Sequence, residues 1–553
     1  IAPLFDQLEA RSPQCTDTQK LEDWILDWGE LSAAIDEEGS RRYIAMTCFT
    51  EDPALEKAYL DFIEQVEPQV KPRQHKLSEL FLAHPLRSKL YQARFAVFDR
   101  DTALRVELFR QENIALETEE AKLGQLYQKL CGSLIVEFQG KERTLPQMAP
   151  FLEEQDRSLR ESAWKLTAER RLREKEQFES QFDGLLALRE RMAANAGFKD
   201  YRAFAFRMRG RFDYTPEDCE RFHGTVESEV MPVLRAMRAR RRQQMKLEKL
   251  RPWDLAVDAN NLPPLRPFTD VTQMVSGSQR IFDRLSQPLA EGFRLMQTQG
   301  LLDLGNRKGK APGGYQSTLS EARLPFIFMN AVGQQRDVET MLHEAGHAFH
   351  ALATQEEDLY AYRSAPIEFC EVASMSMELL GNEFLEEFYS PADANRARQA
   401  HLEGIVQILS WIAAVDAFQH WIYTHPGHAR SERTQAWIQV MKRFGDDVDW
   451  SGHEEVLANL WHRQLHIFLY PFYYIEYGIA QLGALQVWSN SRQDKTKALA
   501  DYRRGLGLGG SRPLPELFQA AGCRFDFSQA TIRPLVQLVQ RELDQLQKAP
   551  SRP

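Results

Sequence analysis

The segment ETMLHEAGHAFH, running from Glu339 to His350, sets three histidines and two glutamates into an otherwise apolar run. On a helix, His343 and His347 stand four residues apart, so both imidazoles project from one face, a turn from each other. A pair placed this way can grip one zinc ion, and Glu344 lies beside it, close enough to act as a base on a water at that ion. His350 projects from the same side, but at the usual helical rise it lies about 10.5 Å along the axis from His343. It cannot share the ion and reads as a support outside the ligand set. A chain with 13 histidines can produce H-E-x-x-H by chance, so the flanks carry the argument. Val338, Met341, Leu342, Ala345, Ala348, Phe349 and Leu352 recur at helical spacing and predict an amphipathic helix with one buried face. The string beginning at His453 starts alike but has Leu457 at its fifth position, which offers no second ligand.

A catalytic zinc needs a third protein ligand and an open position for water. RSAPIEFCEVASMSMELL, from Arg363, supplies Glu368 and Glu371 within an apolar helix whose first turn suits Pro366. The two carboxylates lie three residues apart on nearly one face. One can bind the ion while the other steadies a ligand histidine. Further on, HIFLYPFYYIEYGIAQLGALQVW begins at His466. A helix started by Pro471 puts Tyr470, Tyr474 and Tyr477 along one side, where a phenol beside zinc can donate to a forming oxyanion. An aromatic core stripe is the plainer reading of the same tyrosines. His462 and His466 are also four apart, but no neighbouring acidic residue completes an ion site there.

Helices must carry these groups. Apolar positions recur at three-and-four spacing along most of the chain, as in LEDWILDWGELSAAI from Leu21, and strand-like alternation is scarce. The fold is therefore mainly α. LPFIFMNA from Leu324 is the best strand candidate and follows the glycine-rich GNRKGKAPGGYQSTLS from Gly305. Proline and asparagine mark a long loop from Leu250, and glycines mark a turn from Gly505. A chain of 553 residues calls for two or three lobes. Boundaries near residues 110 and 200 separate an N-terminal helical region (1–110), a helical lobe (111–200) and a catalytic region (201–553).

Composition narrows the function class. Hydrophobic residues at 43% and charged residues at 27% fit a soluble globular protein. A net charge of −10 argues against nucleic acid as a partner. The basic run from Arg235 to Lys249 reads as a solvated helix face. The apolar tract from Ile405 to Phe418, interrupted by Gln407 and Asp416, is too short and polar for a bilayer and reads as a core helix. Six scattered cysteines and no visible secretory leader suggest free thiols in a reducing, cytoplasmic setting.

HEAGH followed by IEFCEVASMSMELL resembles the M3 family of zinc metallopeptidases, the thimet oligopeptidase and oligoendopeptidase F group. RGRFDYTPEDCERF from Arg209, GKAPGGYQ with LPFIFMN, the tyrosine segment and RGLGLGGSRPLPELFQAAG from Arg504 extend the resemblance. It implies one Zn2+ per chain, with Glu371 as third ligand to His343 and His347, and Glu339 and Glu368 in supporting places. It also implies that His466 and Tyr477 stabilise the oxyanion, with Tyr473 or Tyr474 able to trade places with Tyr477. Gly313, Gly314, Tyr315, Phe326, Ile327, Tyr470 and Tyr474 are then substrate contacts, the strand from Leu324 being an edge that pairs with extended peptide. The implied architecture is helical lobes enclosing a deep substrate channel, with a small β-sheet next to the HExxH helix. The implied activity is cleavage of internal bonds in short unstructured peptides by a monomer or homodimer, without nucleic acid or membrane. A dipeptidyl carboxypeptidase-type exopeptidase and a non-catalytic peptide-binding protein are the rival readings. Intact His343, Glu344, His347 and Glu371 weigh against the binder, which has no use for a base.

Overall fold

A computed structural model describes the chain apart from Asp446 and residues 549–553. It is mainly α, as expected. The helices that matter below are α1 (Thr18–Cys48), α2 (Gln111–Gly132), α3 (Lys175–Asn195), α4 (Pro216–Thr225), α5 (Met231–Gln244), α6 (Gln335–Ala353), α7 (Ile367–Gly381), α8 (Pro391–Thr424) and α9 (Tyr474–Ser491). Among the described residues, five strands form two small sheets. A hairpin pairs β1 (Ile135–Phe138) with β2 (Lys141–Thr144), and a three-stranded sheet contains β3 (Leu302–Gly305), β4 (Tyr315–Leu319) and β5 (Leu324–Ala331).

Two cores organise the helices. In the N-terminal lobe, Leu21, Trp24, Ile25 and Trp28 of α1 bury against Leu77, Phe81, Phe95 and Phe98. Leu359 and Tyr362, from the segment between α6 and α7, join this core, and the Tyr362 hydroxyl accepts from the Phe98 amide at 3.0 Å. The second core is continuous from Leu116 to Leu543 and takes in α2 through α9. Arg189 of α3 is buried within it, donating to Glu120 of α2 at 2.6 Å and to the Tyr423 hydroxyl of α8 at 2.8 Å. The apolar tract around Ile405 belongs to the 34-residue α8. Its most apolar window is long enough to cross a membrane but is 72% buried within the protein, and Asp416 lies inside the core.

The sheet order is β3-β5-β4, with β3 parallel and β4 antiparallel to β5. The strand from Leu324 is therefore central, which corrects the expectation that it is an edge. Its second neighbour, LDLG, is too short to show an alternating pattern, and a parallel partner leaves no hairpin signal in sequence. Lys310 fixes the glycine-rich loop between β3 and β4. Its ammonium lies 2.8 Å from Asp303 and also donates to the carbonyls of Asp303, Gly305 and Met329.

The basic run also departs from expectation. Arg241 of α5 turns inward to the carbonyl of Asp254 at 2.8 Å, and Arg238 is buried. Both line a cavity of about 620 Å³, with Met375, Glu378, Arg396 and His401 on another wall. An adjoining cavity of about 590 Å³ shares Arg238, Gln407 and Ile408 and is walled by Trp164, Trp411 and Trp450.

The N-terminal lobe reaches the sheet through buried polar contacts. Glu37 of α1 accepts from the Ala322 amide in the β4–β5 turn at 2.7 Å, and Thr47 meets the Tyr315 hydroxyl at 2.6 Å. Glu37→Ala leaves that amide unpaired, so denaturant unfolding should register a loss of about 1–3 kcal/mol. An unchanged unfolding midpoint would show that this contact does not hold the lobe.

Candidate active site

Helix α6 starts immediately after β5. The amides of Val332 and Gln334 both donate to Asp337 at 2.8 Å, which caps the first turn. Gly333 makes the corner at φ +87°, with the Phe268 carbonyl oxygen 2.8 Å from where a Cβ would sit. Val338, Met341, Leu342, Ala345, Ala348 and Phe349 are buried, as their spacing predicts. This fixes the helical phase and turns His343, Glu344 and His347 toward the cleft.

Helix α7 crosses α6 at Gly346. A Cβ there would fall 2.6 Å from Ser374 Cα and 2.7 Å from the Ala373 carbonyl oxygen. This close approach brings Glu371 over the histidine pair. Its Oε2 lies 3.4 Å from His343 Nε2 and 3.7 Å from His347 Nε2. Donors held about 2.1 Å from a tetrahedral zinc are separated by about 3.4 Å, so the three atoms have the spacing that one ion requires. Ser374 holds Glu371 Oε2 with a 2.9 Å hydrogen bond.

Behind the ligands stands Glu378, which sequence reasoning missed. One of its oxygens lies 2.7 Å from His343 Nδ1 and the other 2.9 Å from His401 Nε2. This contact leaves His343 Nε2 facing Glu371. Glu378 is seven residues beyond Glu371, two turns along the same face, and that spacing was a usable signal. His401 comes from α8 and had none.

The charge balance calls for a cation. Burial opposes a charged imidazole, yet the Glu378 hydrogen bond and the charges of Glu378, Glu371 and Glu344 lift His343 to about 9. Burial and His343 hold His347 well below its ordinary value. Burial foremost, with Glu371 adding, pushes Glu344 up to about 7, against a hydrogen bond from the Gln316 backbone of β4. Two imidazole nitrogens and one carboxylate oxygen, ringed by more carboxylates, fit a divalent zinc in donor chemistry and in spacing.

Other expected supports fall elsewhere. Glu339 accepts from Gln335 at 3.1 Å and, among the described residues, makes no hydrogen bond to His343 or His347. Glu368 accepts from the Tyr214 hydroxyl at 2.7 Å, in a buried group with Arg211 and Glu476. His350 is buried edge-on against Phe369, its Nε2 without a hydrogen-bond partner among the described residues. Helical spacing alone could not tell which turn faces a ligand and which faces the core.

The tyrosine segment is also rearranged. Phe472 takes φ +62°, held by Gln419 on its amide at 3.2 Å and by Arg211 on its carbonyl, so the helix begins at Tyr474 and not at Pro471. Tyr470 is therefore off the helix and exposed. Tyr474 is buried toward Gln464 and Trp411. Tyr477 and Tyr473 lie within reach of the Glu371 charge, their rings 5.3 Å apart. His466 stands 5.8 Å from Tyr477 and 5.7 Å from Tyr473, ring to ring. Trp411 donates to Gln464 Oε1 at 2.8 Å, which leaves the Gln464 amide NH2 to meet His466 Nδ1 at 2.9 Å. Nδ1 thus accepts, and the proton of a neutral His466 sits on Nε2 as a donor.

Among the expected substrate contacts, Tyr315 stacks on Phe328 at 4.8 Å and Ile327 is fully buried, so both serve the sheet. Phe326 is half-buried against the core. Gly313, at φ +103°, and Gly314, whose Cβ would lie 3.3 Å from Thr340 of α6, lead into β4 beside that helix.

Comparison with known proteins agrees in extent with this architecture. The model of Peptidase family M3 matches residues 151–536, and that of the Peptidase M3 N-terminal domain matches residues 1–109. A crystal structure described as an oligoendopeptidase F superposes with a TM-score of 0.90 at 30% identity, covering 98% of this chain and 96% of that one. PZ peptidase A with an inhibitor gives a TM-score of 0.91 at 29% identity over 98% and 96%. Oligopeptidase PepF of Bacillus subtilis is 25% identical over 271 residues, 47% of this chain and 40% of that protein. The chain spans about two-fifths of the length of the curated relatives it matches.

Gly346→Ala places a methyl group against the α7 backbone. The expected result is a loss of about 1–3 kcal/mol in stability together with lower zinc occupancy, read by denaturant unfolding and metal analysis. Full zinc content in a stably folded Gly346→Ala protein would contradict the role given to this crossing.

Proposed function

Because the chain belongs to peptidase family M3, we propose that it is a zinc-dependent oligoendopeptidase cutting internal bonds of short unstructured peptides. The observation that carries this reading is the convergence of His343, His347 and Glu371 at zinc spacing, with Glu344 beside them. His343, His347 and Glu371 would hold the ion. When bound, the zinc acts as a Lewis acid that polarises the scissile carbonyl and acidifies a water.

The chain's own residues do the rest. Glu344, ionised, takes a proton from the attacking water and returns it to the leaving amine. Its burial supports that role, because a carboxylate with a raised pKa is both a better base and a competent acid near neutrality. His466, with its Nε2 proton directed by Gln464, and Tyr477 donate to the oxyanion that forms on the carbonyl. Tyr473 shares the position with Tyr477. The peptide lies extended along β4, whose one edge pairs with β5 while its Gln316 reaches Glu344. A site enclosed between helical lobes suits flexible peptides over folded proteins, and six free cysteines suit a reducing, cytoplasmic setting.

Glu344→Gln should keep zinc and fold while lowering kcat by roughly 10²–10⁴-fold, measured on a quenched fluorescent peptide beside metal analysis. Turnover near the wild-type rate would reject this base. For the unaltered enzyme, kcat/KM should fall on the acid side of neutrality, where Glu344 takes up a proton. A flat profile through that region contradicts the assignment. A peptide library with blocked ends should be cut internally, and a chelator should stop cleavage. A requirement for a free C-terminus would favour the exopeptidase instead.

A further inference from the structure

On the far side of the tyrosine turn, α4 and α8 face each other with two pairs of four-spaced side chains. Cys219 and His223 lie on α4, Asp416 and His420 on α8, and all four are buried. Cys219, Asp416 and His420 each place a donor atom within 4.8 Å of the others. Among the described residues, the only other group meeting that spacing is His343, His347 and Glu371. His420 Nε2 lies 3.3 Å from Asp416 Oδ2, against 3.4 Å for His343 and Glu371. His223 Nε2 lies 2.8 Å from the same Asp416 oxygen.

One atom in this cluster is unsatisfied. Among the described residues, Asp416 Oδ1 has no hydrogen-bond partner, although Asp416 is fully buried. An orphaned oxygen on a buried carboxylate is costly, and native structures avoid it unless something fills the place.

We propose that Cys219, His223, Asp416 and His420 form a second, structural zinc site that staples α4 to α8. The donor set is that of a closed tetrahedral centre. One thiolate and one carboxylate neutralise the dication, so the loaded site carries no net charge into the core. On loading, the Cys219 thiol releases its proton to solvent and the sulfur–zinc bond forms. His223, which lies outside the spacing shared by the other three donors, gives up its hydrogen bond to Asp416 and swings in as the fourth ligand, its Nε2 proton passing to Nδ1. The His420 proton moves to Nδ1, and Arg202, now 3.2 Å from that nitrogen, turns to Glu220, 3.5 Å away. The site has a structural purpose. His420 packs edge-on at 5.2 Å against Phe472, the residue whose left-handed turn aims Tyr473 and Tyr477.

Metal analysis of the intact chain, purified with zinc and without chelator, should give about two equivalents instead of the one that a catalytic ion explains. Cys219→Ser and His347→Ala should each fall to about one. After cobalt replacement, a near-ultraviolet thiolate-to-cobalt band should appear in the unaltered chain and in His347→Ala, and vanish in Cys219→Ser. The active site contains no cysteine, so the band reports the second site alone and stands whatever happens to catalysis. One equivalent with no thiolate band in the unaltered chain overturns the proposal. So does a Cys219→Ser protein that keeps two equivalents and the band. Both wild-type measurements hold even where a variant fails to fold.

Discussion

At Gly346 the backbone of α6 lies so near α7 that a single methyl group would strike Ala373 and Ser374. The contact is steric, but its consequence is electrostatic. Only at this separation does the Glu371 carboxylate come within 3.4 and 3.7 Å of two imidazole nitrogens presented by the other helix. A wider crossing would leave three polar side chains in the cleft with no common centre. A helix pair with larger residues at the crossing would typically sit 8–10 Å apart, and the glycine is what permits the closer contact.

That geometry concentrates negative charge where water is scarce. Glu344, Glu371 and Glu378 are all withdrawn from solvent, and burial raises the cost of ionising each of them. Glu378 escapes the penalty by bridging His343 and His401, whose hydrogen bonds bring it down to about 2. Glu344 has no such partner and stays near neutrality. Two carboxylates on neighbouring helices are thereby pushed to opposite ends of the carboxylate range, one as a fixed anion and one as a group able to trade protons. A divalent ion at these atoms would offset the carboxylate charges of Glu378, Glu371 and Glu344 that surround His343.

The remaining parts are held from a distance. Arg189 ties α3 to α8, the helix that supplies His401 behind His343 and Trp411 to the Gln464–His466 chain. The N-terminal lobe braces β4 through Glu37 and Thr47. A change of packing along α8 would therefore be felt both behind His343 and at His466, because one rigid helix serves both.

Much of this was legible in the chain itself. The four-residue interval between His343 and His347, the apolar phase of their helix and the mainly helical character follow from local periodicity, and tertiary contacts leave such periodicity intact. The likeness of IEFCEVASMSMELL to a known family pointed to Glu371, which spacing alone could not separate from Glu368. What the sequence could not decide is how each helix is rotated and what it meets. Tyr474 and Tyr477 look equivalent in a string, yet one faces Trp411 and the other the cleft, because Phe472 in a left-handed turn resets where the helix begins. His350 and Glu368 share the chemistry of the site but point into the core. The strand from Leu324 is central because a four-residue parallel partner pairs with it, which no local pattern records. Local periodicity sets which side chains share a face, whereas the direction that face looks is settled only when helices distant in sequence close on one another.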